Sequence, residues 1–398
     1  MSRKTTIRLV LLLIATSLGF FHPTFLVING QIYKFVTYAC SILLIVTLWR
    51  TKNKCNTFFI YSALGISFCQ ILSAYNAYHY FEQGLGVSIL ATLQGFAYIL
   101  LVPLMRSKLT INDMERIVKV FALCFMVFSL LNRLSLFPLF GAADDNIERG
   151  TVRYRVIGVY WTMFFLLMQA NTYALYSKRK ALYWVLLAMF AIVMTLTRQN
   201  ILVAFLMASM LFFMRVSWAK KMIYIVAMLG VFFVVLPQSQ VYNSLVEKTE
   251  SDRDAQQQYD NIRLVAAEYF LAECPRNTSQ TLFGHGTPSF GNSSYGKRYE
   301  NFQAFTGIYR EDVGYCGFFY DFGLVCTILI IFMFVRSLFV KIPQKYLYLK
   351  YFVGAFLILN IASAPCLANY NIIPFVLCLA MIHKASYNDQ SSNDSSTL

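Results

Sequence analysis

Long apolar segments recur from residue 8 to residue 384, and this pattern constrains the fold more than any other feature. An α-helix rises about 1.5 Å per residue, so about 20 apolar residues cross the hydrocarbon layer of a bilayer. Of the residues, 58% are hydrophobic and only 13% are charged, which is about half the charged share of a soluble domain. The sequence therefore predicts an all-α polytopic membrane protein without a separate soluble catalytic domain.

Twelve segments are long and apolar enough, or nearly so, to cross a membrane. The basic N-terminus and the apolar run behind it resemble a signal sequence. Because no clear small-residue cleavage site follows, we interpret this segment as an uncleaved first span. We expect one transmembrane domain over 1–385 and a polar, disordered cytoplasmic tail over 386–398. The predicted spans are 8–28, 31–49, 57–76, 85–105, 116–134, 156–176, 181–197, 199–215, 220–236, 313–335, 346–366 and 369–384.

Lys and Arg in the short loops give the orientation, because cytoplasmic loops are enriched in basic residues. With the N-terminus inside, 21 of the 34 basic residues but only 4 of the 19 acidic residues are cytoplasmic. The net charge of +15 is thus explained by topology, and we expect no nucleic-acid partner. Both termini are predicted to be cytoplasmic, and 237–312 forms one long outward loop. Within it, an apolar stripe predicts an amphipathic helix that includes Ile262, Val265, Ala266, Tyr269 and Phe270.

Charged residues at membrane depth are costly, so each one is a candidate for function. Arg198 interrupts an apolar stretch at an outward hairpin, where it either faces a ligand or snorkels at a helix end. Arg153 and Arg155 are predicted to lie at the outer N-terminus of the sixth span, in the segment YRVIGVYW that opens it. Cations oppose the helix dipole there, so an anionic ligand or an acidic partner is expected. Arg263 either covers the amphipathic helix with its stem or points into an outward cavity. Asp321, inside the tenth span, is either functional or the partner of an arginine.

Three outward groups are candidates for a general base. His285 lies between two glycines in the sequence LFGHG and is predicted to be exposed enough to bind a ligand, although a lone loop histidine is usually only solvated. Glu311 and Asp312 lie where the long loop re-enters the membrane, where an acid pair is either catalytic or a simple helix cap. Nucleotide and zinc chemistry are unsupported, since the sequence has no Walker loop, no GxGxxG and no Cys/His cluster. We expect no metal and no cofactor.

Several sequence landmarks follow one another in a fixed order over about 150–335. They are Arg155 to Gly158 (Arg-x-x-Gly), Thr197-Arg198 at an outer hairpin, Arg263 on the loop helix, Leu282 to Gly286 (Leu-Phe-Gly-x-Gly), and the re-entry from Asp312 to Tyr315 with Phe322-Gly323-Leu324 behind it. This order resembles the O-antigen ligase and Wzy-type O-antigen polymerase superfamily. The chain departs from the family pattern at the re-entry point, where Asp312 stands in place of a histidine.

The resemblance implies a metal-independent glycosyltransferase bundle of the C type in the bacterial cytoplasmic membrane. It implies a donor glycan on undecaprenyl diphosphate, which a polymerase transfers to another lipid-linked repeat unit of an O-antigen, capsule or exopolysaccharide. A chain-length regulator and a flippase are the protein partners that such a reaction would call for. Two alternatives stay open: a ligase that transfers polymer to lipid A core, and a lipid-linked glycan flippase or other transporter. Transporters usually have two similar halves, and this sequence contains no internal repeat.

The chemistry of this reaction indicates which residue types to expect at the site. A diphosphate leaving group without a metal is best neutralised by arginine, and the acceptor hydroxyl needs a base within hydrogen-bond reach. We expect the donor diphosphate at Arg198 and Arg263, supported by Arg155, with Arg153 and Arg310 as further substrate-binding residues. The expected base is Asp312, followed in order by His285 and Glu311.

A reporter fusion after residue 260 tests the predicted topology. Alkaline phosphatase folds only outside the cytoplasm, so this fusion should be active, whereas a control fusion after Lys180 should be inactive. Enzyme activity in whole cells measures both. A cytoplasmic position for the fusion after residue 260 would overturn the assignment of every outward candidate.

Overall fold

The computed structural model describes residues 1–24, 30–49, 57–93, 95–134, 139–140, 142–143, 154–195, 197–214 and 262–394. The final helix continues to Asp394, through most of the segment whose composition predicts disorder. Within the described ranges, β structure is confined to a bridge between Pro23 and Phe140 and a two-residue antiparallel ladder. The ladder consists of β1 (Ala142–Ala143) and β2 (Tyr154–Arg155). The helices are α1 (Arg3–Ser17), α2 (Gly30–Trp49), α3 (Thr57–Phe81), α4 (Leu85–Thr92), α5 (Leu101–Arg106), α6 (Ile111–Leu134), α7 (Val159–Tyr176), α8 (Arg179–Val193), α9 (Arg198–Phe213), α10 (Ile262–Glu268), α11 (Thr278–Phe283), α12 (Ser294–Thr306), α13 (Tyr315–Phe339), α14 (Tyr348–Ala362) and α15 (Asn369–Asp394).

Four helical segments in the described part are long and apolar enough to cross a membrane. A fifth arises if two shorter helices, bent by 58° at a break, are counted as one broken span. These segments coincide with predicted spans, and the coarser prediction of a helical, membrane-type protein is confirmed. The count of twelve spans stays a prediction, and the predicted span 220–236 lies outside the described residues. The four segments are Ile32–Trp49, Phe58–Phe81, Tyr315–Phe339 and Gln344–Ala362, and the bent pair is Leu85–Thr92 with Phe96–Arg106.

Helix α7 lies at the centre of the bundle and is buried on nearly every side. It packs against α6, α8, α9 and α14, and Trp161, Phe164 and Phe165 on it are fully buried. The ring of Phe164 stacks on Phe352 of α14 with 4.4 Å between ring centroids. A helix that is apolar all round belongs in such a core, and aromatic pairs add stability beyond the area that they bury.

The predicted amphipathic helix of the long loop is present but short. Helix α10 ends at Glu268, and a π-helical turn over Tyr269–Glu273 follows it. Ala266 and Phe270 are buried, as the stripe predicts, whereas Ile262 and Val265 are 51% and 40% exposed. The predicted apolar stripe is therefore buried over only part of its length, because only the C-terminal end of the helix packs on a small apolar cluster. The buried members of this cluster are Ala266, Phe270, Tyr299, Ile308, Val313 and Tyr320.

Helix α13 is interrupted at Gly323, whose backbone (φ 79°, ψ 177°) is not helical. Just before the break, the carbonyl oxygen of Tyr320 accepts a 2.8 Å hydrogen bond from the backbone N–H of His285. The carbonyl oxygen of Asp321 accepts one from the N–H of Gly286 at 3.0 Å. The loop after α11 therefore supplies the donors that an interrupted membrane helix needs.

Two glycines allow this close approach of the two backbones, because neither residue has a side chain that would separate them. A side chain on Gly284 would run into the backbone of Asp321 and Phe322, and one on Gly323 would run into the backbone of Leu282 and Phe283. Gly284 (φ 79°, ψ −179°) also has a conformation that is essentially restricted to glycine. The Leu282–Gly286 turn and the break in α13 consequently form one interlocked unit.

Replacing Gly284 by alanine should destabilise the protein through both backbone strain and collision with Asp321. Gly291 is a matched control, because its φ is also positive (72°) while no atom lies within 4 Å of a methyl group placed there. We expect Gly284→Ala to cost clearly more than the roughly 1–3 kcal/mol of strain alone, and Gly291→Ala to stay within that range. Thermal unfolding of the detergent-purified variants measures the difference, and equal losses would contradict the interlock.

Candidate functional site

A cavity of about 1110 Å³ lies between α2, α4, the start of α7, the break in α13 and the 3-10 turn Pro365–Leu367. Part of its wall comes from residues 287–311 of the loop that the sequence places outside the membrane. The lining is mixed, with aromatic rings beside hydroxyl, amide and charged groups. Large ligand sites typically combine an apolar lining with a few placed polar groups. The charged lining residues are Lys34, Arg310, Glu311 and Asp321.

A buried ion pair joins the loop to the membrane span at this cavity. Arg310 opens the 3-10 turn Arg310–Asp312, and its Nη1 donates to both carboxylate oxygens of Asp321, at 2.7 and 2.9 Å. Its Nε donates to Oε1 of Glu311 at 2.9 Å. Arg310 is 6% exposed and Asp321 is 1% exposed, whereas the Glu311 side chain is 49% exposed. The guanidinium of Arg310 thus binds both the buried carboxylate of Asp321 and the half-exposed carboxylate of Glu311.

The guanidinium of Arg310 is enclosed by aromatic rings as well. Its Cζ lies 5.6 Å from the ring centroid of Tyr299 and 5.7 Å from that of Phe290. Burial alone would lower the pKa of Arg310, but the charges of Asp321 and Glu311 outweigh it and raise that pKa above its ordinary value. Arg310 therefore stays a cation, and among the described residues its Nη2 has no hydrogen-bond partner.

Two polar side chains of α3, and Gln83 just after its C-terminal end, position the loop around this pair. Ser73 donates from its hydroxyl to the carbonyl oxygen of Asp321 at 2.5 Å. Asn76 donates to the carbonyl oxygen of Gly284 at 2.8 Å. Gln83 is fully buried and bonds to Thr287 and to further groups of the same loop. A buried polar group without a partner is costly, so these three side chains fix the loop in place.

Glu311 and Arg310, both predicted from the sequence, line the cavity, and Asp321 has the arginine partner that the sequence suggested. Asp312, the base ranked first, is exposed and is not among the described lining residues. Sequence reasoning missed Lys34, although a lone lysine in the predicted span 31–49 meets the same criterion of charge at membrane depth that identified Asp321.

The predicted exposure of His285 is wrong. The residue is 2% exposed, and its ring stacks on Tyr320 with 4.6 Å between centroids. Nδ1 lies 3.2 Å from the carbonyl oxygen of Tyr320, and Nε2 lies 3.1 Å from that of Cys274. Burial lowers the pKa of His285, although these two carbonyls act in the opposite direction. The histidine is buried because the glycines beside it pack on α13 and α3 instead of leaving it on a loose loop.

Arg198 and Arg263 are exposed and are not among the described residues that line the cavity. Arg155 does not open the sixth span, since its backbone pairs with Ala142 in the β ladder and α7 begins only at Val159. Gly158 (φ 121°) separates the two elements, which is why the helix cannot extend back to Arg155. Arg153 lies outside the described residues.

Within the described ranges, no three His, Cys, Asp or Glu side chains come together in a way that could hold a metal ion. The chain matches no protein-family model and no curated protein. The resemblance to glycan polymerases therefore rests on the order of the sequence landmarks alone.

Replacing Arg310 by glutamine should destabilise the protein strongly, because the nearly inaccessible carboxylate of Asp321 would lose its counter-charge. The expected cost is about 3–5 kcal/mol. Arg3→Gln is a matched control, since Arg3 also binds both oxygens of a buried carboxylate, Asp113, but is itself 51% exposed. The control should lose much less, because exposed ion pairs contribute little. Unfolding midpoints of the two purified variants decide the question, and similar losses would argue against a special role of burial.

Proposed function

We propose that this chain is a membrane glycosyltransferase that polymerises oligosaccharide repeat units linked to a lipid diphosphate, at the outer face of the bacterial cytoplasmic membrane. The observation that carries the proposal is the large cavity with a buried arginine held between Asp321 and Glu311. The order of the sequence landmarks resembles that of O-antigen polymerases, and this resemblance suggests lipid-linked oligosaccharides as the substrate class.

The donor diphosphate is proposed to bind beside Arg310 and Lys34. The leaving group carries the electron pair of the broken glycosidic bond, so cations must neutralise it as it departs. Arginine suits this task, because its guanidinium keeps its positive charge and offers several N–H donors. In Arg310 the Nε and Nη1 groups already bind Glu311 and Asp321, so Nη2 is the group that can donate to a phosphate oxygen without disturbing those bonds. This placement replaces the expected donor site at Arg198 and Arg263.

Glu311 is proposed as the general base. Its carboxylate is half exposed and lines the cavity, so an acceptor hydroxyl can approach it. The hydroxyl oxygen attacks the anomeric carbon of the donor sugar, Glu311 takes the hydroxyl proton, and the lipid diphosphate leaves. Asp321 is proposed to position Arg310 during this step, since both of its oxygens are engaged by Nη1.

Glu311→Gln should abolish most turnover while preserving the fold, because general-base assistance typically contributes about 10²–10⁴-fold. Asp312→Asn is the matched comparison, since it removes the neighbouring carboxylate, which does not line the cavity. Polymer formation from purified lipid-linked units in liposomes measures both variants. An inactive Asp312→Asn beside an active Glu311→Gln would return the role to Asp312, as the sequence alone ranked it.

Gel analysis of surface polysaccharide in a deletion strain separates polymerisation from the alternative functions. A missing polymerase should leave single repeat units on the carrier or core. Long lipid-linked polymer that never reaches the core would instead indicate a ligase. Units that accumulate on the cytoplasmic side would indicate a flippase, and either of these two patterns would refute the proposed reaction.

A further inference from the structure

One continuous stretch of the cavity wall differs in character from the charged region beside it. Its lining members are Thr287, Pro288, Ser289, Phe290 and Asn292, here called the 287–292 wall. It follows directly on the Leu282–Gly286 turn and precedes α12. The wall therefore combines one aromatic ring with hydroxyl and amide groups, within reach of the Arg310 ion pair.

The ring of Phe290 is held in place and yet remains accessible. It packs against the guanidinium of Arg310 and lies 6.0 Å from the ring of Tyr299, between centroids. Even so, Phe290 is 40% exposed, although it belongs to the wall of a cavity. An open aromatic face of this kind is a surface on which an apolar patch of a ligand can pack.

The polar groups beside this ring are available as well. In the described part of the chain, the hydroxyl of Ser289 has no hydrogen-bond partner. The amide of Asn292 donates one bond, to the carbonyl oxygen of Phe290 at 3.3 Å, and its Oδ1 accepts none from any described residue. Because polar groups next to an apolar ring would be left unpaired against a hydrocarbon chain, a lipid tail is a poor occupant of this wall.

Gln83, in the short connection between α3 and α4, fixes the position of the wall. Its Oε1 accepts from the N–H of Ser289 at 2.9 Å and from the hydroxyl of Ser293 at 2.8 Å. Its Nε2 donates to the carbonyl oxygen of Thr287 at 3.0 Å and to the hydroxyl of Ser88 at 3.2 Å. The amide of this buried residue is thus fully satisfied, and the wall is pre-organised rather than loose.

We propose that the 287–292 wall is a pyranose subsite, with Phe290 as the stacking platform and Ser289 and Asn292 as hydroxyl-binding groups. A pyranose ring has an apolar face of C–H groups and a rim of hydroxyls, which matches this pattern. The inference rests on the proposed function for the origin of the sugar, which is a sugar of the repeat unit next to the reacting hydroxyl. Phe290 and the two polar residues would then determine which sugar is accepted.

Binding of a free saccharide tests the subsite without requiring any reaction. The probe is the oligosaccharide released by mild acid from the glycolipids of the source cells, so it carries neither lipid nor diphosphate. Saturation-transfer NMR on the full-length protein in nanodiscs measures its affinity. Phe290→Leu should weaken binding about tenfold, because the stacking surface is lost. Phe290→Tyr should keep binding within about twofold, because the aromatic ring is retained.

Phe305→Leu is the matched control, since Phe305 lies on α12, is 93% exposed and does not line the cavity. It should bind the saccharide like the unmodified protein. Equal affinity of Phe290→Leu and Phe305→Leu, or no binding by the unmodified protein, would overturn the subsite. If Phe290→Leu loses saccharide binding while the deletion strain shows the ligase or the flippase pattern, the subsite is supported and the proposed polymerisation is refuted. Failure of the subsite and failure of the proposed function are therefore distinguishable.

Discussion

The interruption of α13 at Gly323 is the constraint on which the rest of the site depends. Inside a membrane, a backbone carbonyl without a donor is costly, because no water is present to replace the missing helical bond. Here the donors come from the N–H groups of His285 and Gly286. The break in α13 and the loop consequently stabilise each other, and the loop that forms much of the cavity wall is held in a fixed position against α13.

The ion pair between Arg310 and Asp321 is built on that interlock. A buried pair of charges loses its hydration, and replacing it by well-packed apolar side chains is often neutral or stabilising. Stability therefore gives little reason for two charges in so apolar a protein, whereas a charged intramembrane group beside a cavity is a typical mark of function. The half-exposed Glu311 extends the pair towards the open space, which is why the proposed chemistry centres on these three residues.

Part of the site could be predicted from the sequence. A carboxylate at membrane depth needs a partner, and that rule correctly suggested an arginine for Asp321. The predicted exposure of His285 was wrong, because glycines beside a histidine indicate a turn but do not say what the turn packs against. The proposed base also differs from the one that the sequence ranked first, because Glu311 and Asp312 are adjacent in the chain but only Glu311 is among the described residues that line the cavity.

The sequence by itself determined the helical, membrane-type architecture. The length and the hydropathy of a segment can be read locally along the chain, and they can be compared directly with the number of apolar residues that a bilayer-spanning helix needs. Only the tertiary structure decided which polar groups meet. Gln83 and Ser289 are 206 residues apart, and Ser73 reaches Asp321 across 248 residues. Such pairs depend on how whole helices pack and on where two glycines let backbones touch, so no local pattern along the chain specifies them.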